Sequence, residues 1–262
     1  MPSPTITLIG GPTALIEFGG FRLLTDPTFD GPGEYPLPHV TLKKTSRPAL
    51  TAEQVGAVDA VLLSHDQHSD NLDHGGKAFT QQSARVFTTI AGAKRLGGSN
   101  VEGLAPWDKT VLTRPDGRKL EITATPARHG PAGIEPFSGD VIGFVLRLEG
   151  SAPIYVTGDT VWYDGVAEVA RRFRAGTVLL FAGAAQTRGP FYLTMNTNDA
   201  IETAHAFPEA TIVPVHTDGW AHFSQGRGEL EQSFKALGVA ARLRLLEPGV
   251  ATAIEPLPAA RG

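Results

Sequence analysis

The sequence SHDQHSDNLD, residues 64–73, comes directly after the apolar run Ala60–Leu63. Two imidazoles, at His65 and His68, and the carboxylate of Asp70 lie within six residues of one another and can converge on one point. Imidazole ligands suit zinc, iron, copper and nickel, and added carboxylates also admit manganese. The stretch therefore predicts a metal-binding loop after a buried strand. The alternative is a polar loop that is capped by its own side chains.

The same pattern recurs three times further along the chain. His129 follows the predicted strand KLEITATPA, Asp159 follows PIYVTG, and His216 follows TIVPV. Strand ends on a rigid scaffold are natural platforms for a site, because their side chains project into loops while the strands stay fixed. The recurrence favours one shared metal site over a locally satisfied loop.

The pattern of strands and helices around these residues predicts the fold. An antiparallel meander with a hairpin at Gly19-Gly20 opens the chain, and a second meander has its hairpin at Asp116-Gly117. The Pro-rich segment Asp30–Pro48 has no periodicity and is predicted as a long loop. Two meanders, each followed by helices, indicate two packed sheets with helices outside, an α/β four-layer αββα sandwich formed by one domain, residues 1–262. The main predicted helices cover residues 76–84, 166–173, 198–207 and 229–237, and the last predicted strand is RLRLLEP.

Composition limits the classes of partner and of metal ligand. The 262 residues carry a formal net charge of −4, which disfavours nucleic acid because phosphate binding needs clustered basic side chains. There is no cysteine, so thiolate ligands and disulfides are excluded. No signal peptide or membrane-spanning stretch is evident, and the default expectation is a cytoplasmic protein without an integral membrane segment.

Taken together, the motifs resemble the metallo-β-lactamase superfamily over nearly the whole chain. VLLSHDQHSDNLD is similar to the family's H-x-H-x-D-H loop, and PARHG, VTGDT and VPVHTD resemble its later motifs. TITLIGGPTALIEFGGFRLLTDP looks like the opening hairpins of the branch that holds ascorbate-6-phosphate lactonases and phospholipase D-like phosphodiesterases of the N-acylphosphatidylethanolamine type. Relatives in that branch assemble into oligomers, so the resemblance leaves a homo-oligomer open.

The resemblance implies a site for one or two divalent cations, with zinc first and manganese or iron as alternatives. Asp26 would support the metal loop without binding the metal, and Asp159 would bridge two cations. The ligands carried over from the family motifs are His65, His68, Asp70, Asn71, His129, Asp159 and His216.

Two departures from the family loop leave its alignment open. The family histidines are two apart, whereas His65 and His68 are three apart, and Asn71 stands where another histidine is expected. In one alignment a residue is inserted and His65 and His68 are the paired ligands. In the other, Asp66 replaces the first histidine. We favour the first, because VLLS-His65 matches the family's junction of strand and ligand. Asn71 should weaken the second metal position, which would rest on Asp70, Asp159 and His216.

The implied reaction is hydrolysis of a small ester, lactone or phosphodiester by a metal-bound hydroxide, since a bound cation lowers the pKa of water from about 15.7 to about 7. Asp70 would orient the nucleophile and pass a proton to the leaving group. His222 is a candidate substrate contact or acid, or else a surface histidine. The altered loop motivates a second hypothesis, a catalytically degenerate member of the fold that binds only a metal or a ligand.

Several other residues have weaker claims to a function. His39 would contact a small-molecule substrate if the Pro-rich loop is a lid, and Trp220 could line the rim of the site. Arg128 could bind an anionic group, as could Lys43 and Lys44 in the case of a phosphodiester. His74 is expected at a helix start and His205 in a structural position on a helix.

Overall fold

The computed structural model describes residues 3–255 and 257; the remaining ends of the predicted domain, residues 1, 2, 256 and 258–262, lie outside the described residues. Two sheets form the body of the fold. The first has seven strands in the order β15-β1-β2-β3-β6-β7-β8, and the second has six in the order β14-β13-β12-β11-β10-β9. The strands of the first sheet are β1 (Thr5–Gly10), β2 (Thr13–Phe18), β3 (Phe21–Thr25), β6 (Ala60–Leu62), β7 (Val86–Thr89), β8 (Val101–Leu104) and β15 (Thr252–Ala253); those of the second are β9 (Lys109–Thr113), β10 (Lys119–Pro126), β11 (Ile142–Leu148), β12 (Ile154–Val156), β13 (Thr177–Phe181) and β14 (Thr211–Val215).

The inner faces of the two sheets pack against each other and form the largest apolar cluster. Leu23 and Leu62 of the first sheet belong to this cluster together with Phe144 and Leu179 of the second, and all four are fully buried. Burying side chains of this size is the dominant favourable contribution to folding, about 1.5–3 kcal/mol for each. The alternation of these residues with others that face outward determines the register of both sheets.

Helices cover both outer faces. Helices α5, α6 and α7 pack through Val166, Ile201 and Phe234 on the outer face of the second sheet. On the first sheet, Val55 of α1 and the partly buried Phe79 of α2 pack on the outer face in the same way. The four-layer αββα sandwich expected from the sequence is therefore confirmed. The helices are α1 (Ala52–Val55), α2 (His74–Gln82), α3 (Ile90–Leu96), α4 (Glu135–Ser138), α5 (Asp164–Arg172), α6 (Thr197–Ala206) and α7 (Arg227–Ala236), with a short 3₁₀ helix at Ala240–Arg242.

Parallel pairing brings the ends of several strands to one edge of the sandwich. In the second sheet β12, β13 and β14 run parallel, and in the first sheet β6 runs parallel to β3 and β7. Because β10 is antiparallel to β11, which is antiparallel to β12, β10 also runs in the direction of β12. The loops after β3, β6, β10, β12 and β14 therefore all leave the same edge.

The prediction of a structureless loop at Asp30–Pro48 is wrong. Strands β4 (Gly33–Leu37) and β5 (Val40–Lys44) form a separate two-stranded hairpin there. Tyr35 and Leu42 face inward and pack with Trp220, which supplies the apolar contact that a lone hairpin needs. The prolines hid this alternation, because Pro36 is tolerated in a strand only where its missing N–H is not needed by the ladder.

The prediction that RLRLLEP forms the last strand is also wrong. Only Leu243 makes a single bridge, to Ile212, and the Arg242 guanidinium instead donates hydrogen bonds to carbonyls at and beyond the end of α6. The chain then crosses to the first sheet, where Thr252–Ala253 pairs with β1. In the described part of the chain, none of the helices has the length and apolar character needed to cross a bilayer.

Candidate metal centre

Three histidines from two loops converge at the shared edge of the sandwich. The Nδ1 atom of His68 lies 2.9 Å from Nε2 of His65 and 3.2 Å from Nε2 of His129. His65 and His129 are buried and His68 is largely so. Each ring offers one nitrogen, and the three nitrogens lie within 4.8 Å of one another, as ligands of a single cation do.

A second group lies beside the first and consists of Asp70, Asp159 and His216. The Nε2 atom of His216 is 3.5 Å from Asp70 Oδ2 and 3.5 Å from Asp159 Oδ1. The other oxygen of Asp159, Oδ2, is 3.5 Å from Nε2 of His129 in the first group. Asp159 therefore has one oxygen facing each group.

The polar atoms of the second group are buried without hydrogen-bond partners. Both oxygens of Asp159, both ring nitrogens of His216 and Oδ1 of Asp70 are in this state. Buried polar atoms without hydrogen bonds are costly, and native proteins accept them where a metal or another charge compensates. Imidazole and carboxylate donors at this spacing fit a divalent cation such as zinc, manganese or iron.

Hydrogen bonds from outside the two groups hold the imidazoles in position. Ser64 donates both its backbone N–H and its hydroxyl to Oδ1 of Asp26, at 2.9 and 2.7 Å, and its hydroxyl oxygen lies 2.9 Å from Nδ1 of His65. Nδ1 of His129 donates to the carbonyl oxygen of Leu193 at 2.8 Å. Each contact leaves Nε2 of that ring as the free ligand atom, which is the usual arrangement of metal-binding histidines.

The backbone at the strand ends is adapted to these positions. His216 has a φ of 57°, a conformation that residues with side chains rarely adopt, and its N–H donates to the Gly11 carbonyl at 2.7 Å. Gly158, directly before Asp159, has a φ of 62°, and a Cβ there would lie 2.6 Å from the Ile142 carbonyl oxygen. Only glycine fits at that point, which explains the sequence VTGD.

Burial and charge shift the pKa values of these groups in opposite directions. Burial lowers the pKa of His65 well below its usual value and, together with the charges of neighbours such as His129, lowers the pKa of His68 to about 4. Burial alone would also lower the pKa of His216, but the Asp159 and Asp70 carboxylates outweigh it and raise that pKa to about 10. For Asp159, burial favours a raised pKa, yet the charge of His216 lowers it. His65 and His68 are thus neutral donors beside the ionised carboxylates of Asp70 and Asp159.

Six of the seven ligands predicted from the sequence are brought together in the two groups. The seventh, Asn71, is fully buried and its amide atoms have no hydrogen-bond partner among the described residues, and its role as a ligand stays a prediction. Asp66, the first ligand in the alternative alignment, forms a bidentate ion pair with Arg95. The geometry therefore favours the alignment in which His65 and His68 are paired. His222 donates from Nε2 to Oδ2 of Asp70 at 2.9 Å and is not a surface histidine.

Other candidates from the sequence lie away from the metal groups. His74 begins α2 as predicted, and His205 is exposed on α6. Trp220 is buried beneath the hairpin and does not line the rim. Arg128 stacks on Tyr163.

Lys44 is also unavailable to a substrate, because its ammonium is buried in an ion pair 2.9 Å from Asp73. The exposed Lys43 lies next to it on β5. Neither lysine lines the cavity over the metal groups.

A cavity of about 300 Å³ opens over the two groups and gives access to His68, Asp70, His129 and His222. The tip of the hairpin, Leu37–Val40, forms one wall, and it includes His39 as predicted. Sequence reasoning missed three contributors to this region: Ser64, the Leu193 carbonyl and Arg188. Ser64 directly precedes the first histidine, so its position was visible in the sequence, whereas nothing local marks the other two.

Comparisons with known proteins agree with this geometry. The model of the beta-lactamase superfamily domain matches residues 21–217. The UPF0173 protein YddR of Bacillus subtilis is 28% identical over 256 residues, which cover 93% of this chain and 97% of that protein. A UPF0173 metal-dependent hydrolase of Pelotomaculum thermopropionicum is 28% identical over 251 residues, with the same coverage of both chains.

Solved structures with the same architecture cover nearly the whole chain. The isothiocyanate hydrolase from Delia radicum gut bacteria has a TM-score of 0.81 and 25% identity, and the match covers 95% of this chain and 99% of that one. Igni18, a metallo hydrolase from the archaeon Ignicoccus hospitalis, has a TM-score of 0.70 and 20% identity, with 97% and 99% covered. The second likeness concerns the fold alone.

Proposed function

This chain belongs to the metallo-β-lactamase superfamily, and on that basis we propose that it is a metal-dependent hydrolase of a small ester, lactone or phosphodiester. The observation that carries the proposal is the second group of donors, in which five buried polar atoms have no hydrogen-bond partner among the residues that the structure describes. A protein that binds no metal would have no physical reason to retain such a costly arrangement.

His65, His68 and His129 would hold one cation through ring nitrogens, and Asp70, Asp159 and His216 would hold a second. Asp159 is suited to bridge the two, because each of its oxygens faces one group. Asn71 adds only a neutral amide oxygen where the family loop has an imidazole, so the second position should be the weaker. Zinc is the first candidate, with manganese and iron as alternatives.

A divalent cation held here would lower the pKa of water toward neutrality and polarise the scissile carbonyl or phosphoryl oxygen. Asp70 lines the cavity, and its Oδ1 has no partner while Oδ2 is held by His222. We assign to Oδ1 the proton of the attacking water, which it would pass to the leaving oxygen. The new bond joins the water oxygen to the acyl carbon or phosphorus, and the bond to the leaving group breaks.

His222 would position the Asp70 carboxylate through the 2.9 Å hydrogen bond and contact the substrate at the cavity wall. The sequence motifs favour the lactonase-like and phospholipase D-like branches, which suggests carboxylic and phosphoric esters as substrates. The likeness to an isothiocyanate hydrolase favours a second candidate, the addition of water to a small uncharged electrophile.

The test is turnover by protein loaded with zinc, manganese or iron. The substrates are 4-nitrophenyl butyrate, a γ-lactone, bis(4-nitrophenyl) phosphate and phenethyl isothiocyanate. We expect hydrolysis of at least one that requires the added metal and falls about 100-fold or more in Asp70→Asn, since general acid–base catalysis contributes roughly 10²–10⁴-fold. Arg174→Gln is the matched control, because Arg174 is exposed and precedes β13, at the edge of the sheet opposite the metal groups.

Hydrolysis of the isothiocyanate alone would replace the first candidate by the second. If metal binds but none of the four substrates is turned over, the degenerate binding protein becomes the better account.

A further inference from the structure

The walls of the cavity over the metal groups are mainly apolar. Leu37 and Val40 of the hairpin tip contribute one side, and Leu193 and Phe137 contribute the other. Phe137 is 61% exposed, an unusual position for a large aromatic side chain unless something covers it. A volume of about 300 Å³ lies at the lower end of the range for small-molecule sites. The cavity therefore suits a compact molecule with an apolar body.

Among the described residues, Arg188 is the one arginine or lysine that lines this cavity. Its guanidinium lies beside Phe137, 5.6 Å from the ring centroid, and its hydrogen bond to the Phe137 carbonyl oxygen is long at 3.4 Å. Within residues 3–255 and 257 it takes part in no ion pair, although most other arginines of the chain do. Its donors are therefore available at the cavity mouth.

The charge of the lining is asymmetric. Asp70 is the one carboxylate in the described part of the chain that reaches the cavity, and it belongs to the second metal group, where bound cations would offset its charge. Arg188 then gives the mouth of the cavity a positive charge that no further acidic side chain in the lining compensates. A planar guanidinium with free donors matches a carboxylate or phosphate through paired hydrogen bonds.

We propose that Arg188 selects substrates that carry an anionic group on the part of the molecule that points to the cavity mouth. This inference rests on the proposed hydrolytic function and narrows its substrate class. The scissile bond would lie at the metal groups, the apolar body between the hairpin tip and Phe137, and the carboxylate or phosphate against Arg188. An uncharged substrate would gain nothing from that arginine.

The test uses two ligands that differ only at the distal end, hexanohydroxamate and the monohydroxamate of adipic acid. The hydroxamate head chelates a divalent cation, and the tail of either extends into the cavity. Calorimetry on the zinc-loaded protein gives the two dissociation constants without any turnover. Arg188→Gln removes the charge and retains the length of a polar side chain, and Arg174→Gln is the control.

We expect the adipic ligand to bind about fivefold more tightly, in keeping with a partly solvated ion pair, with the preference lost in Arg188→Gln and retained in Arg174→Gln. Equal affinities, or a preference that survives Arg188→Gln, would overturn the inference while hydrolysis of a test substrate leaves the proposed function intact. If the preference depends on Arg188 but no substrate is hydrolysed, the proposed function fails and the anion site stands. If neither hydroxamate binds although zinc is present, the anion site is overturned, while turnover of the four test substrates decides the proposed function separately.

Discussion

Single residues that do not touch the metal position orient the side chains that would bind the metal. Ser64 joins the buried Asp26 carboxylate to Nδ1 of His65, and thereby determines which ring nitrogen is free. The backbone N–H of Asp26 in turn donates a hydrogen bond to the Leu62 carbonyl oxygen at 3.1 Å, which holds Asp26 in place. The orientation of His65 therefore depends on two neighbouring strands of the first sheet.

Replacing Ser64 by alanine should weaken metal binding without removing a ligand. Outer hydrogen bonds of this kind typically contribute 10–100-fold to affinity, so we expect the zinc dissociation constant of Ser64→Ala to rise at least tenfold. Competition with a chromogenic chelator measures it. Ser151→Ala, which removes a hydroxyl that has no partner, should leave the constant unchanged. Equal constants in Ser64→Ala and the native protein would contradict the assigned role.

The lowered pKa of His68 predicts a pH dependence of stability in protein stripped of metal. The unfolded chain binds a proton near pH 6.5, but the folded protein does so only near pH 4. Between these values the unfolded state holds more protons, so stability falls as the pH falls. From pH 7 to pH 5 this histidine should cost about 2 kcal/mol of unfolding free energy.

Urea unfolding of the native protein and of His68→Gln at both pH values checks this sign. The variant should lose about 2 kcal/mol less on acidification than the native protein. Burial raises the pKa of Asp26, which acts in the opposite direction, but it does so in both proteins and cancels in the comparison. The exposed His205→Gln is the control. Parallel losses in native protein and His68→Gln would show that His68 titrates normally.

At the scale of elements, strand ends were predictable and the covering hairpin was not. Apolar runs such as Ala60–Leu63 mark buried strands, and an ionisable residue directly after each run marks the edge where they meet. The hairpin has no such run, because half of its residues face solvent and its inward side chains, Tyr35 and Leu42, find their partner in Trp220, far along the sequence. Arg188 was missed for the same reason, since its neighbours come from another loop.

The hairpin is attached to the metal loop by a buried ion pair. Lys44 lies 2.9 Å from Asp73, which also accepts hydrogen bonds from the backbone N–H groups of Phe29, Asp30 and Gly76. Because Asp73 ends the metal loop and caps α2, the cavity wall and the metal groups share this anchor.

Lys44→Met should destabilise the protein by about 3 kcal/mol, because it leaves the Asp73 carboxylate buried and short of its counter-charge. The exposed neighbour Lys43 provides the control, and Lys43→Met should change the unfolding free energy by less than about 0.5 kcal/mol. Urea denaturation at pH 7 measures both. Similar midpoints for the two variants would mean that the ion pair does not hold the hairpin.

At the scale of the whole molecule, two sheets and the loops after five of their strands build one centre from residues 26 to 222. The sequence was sufficient to predict the four layers and to group His65, His68, His129, Asp159 and His216, because each follows a strand end. It also assigned Asp70, Asp159 and His216 to the second position, and the structure brings these three together. The distances within and between the two groups depend on how the two sheets pack and could not be predicted. The buried amide of Asn71 directly follows Asp70 in the chain. The number of metal ions bound per chain measures its effect on the second metal position.

The most direct measurement of the central claim is the metal content per chain, by elemental analysis of protein purified without a histidine tag. The account predicts one to two equivalents of zinc, manganese or iron in the native protein and in His205→Ala, with a loss in both His68→Ala and Asp159→Asn. A value near one equivalent would mean that Asn71 has weakened the second position so far that its metal is lost during purification. Native protein that holds no metal after incubation with each of the three ions would contradict the account.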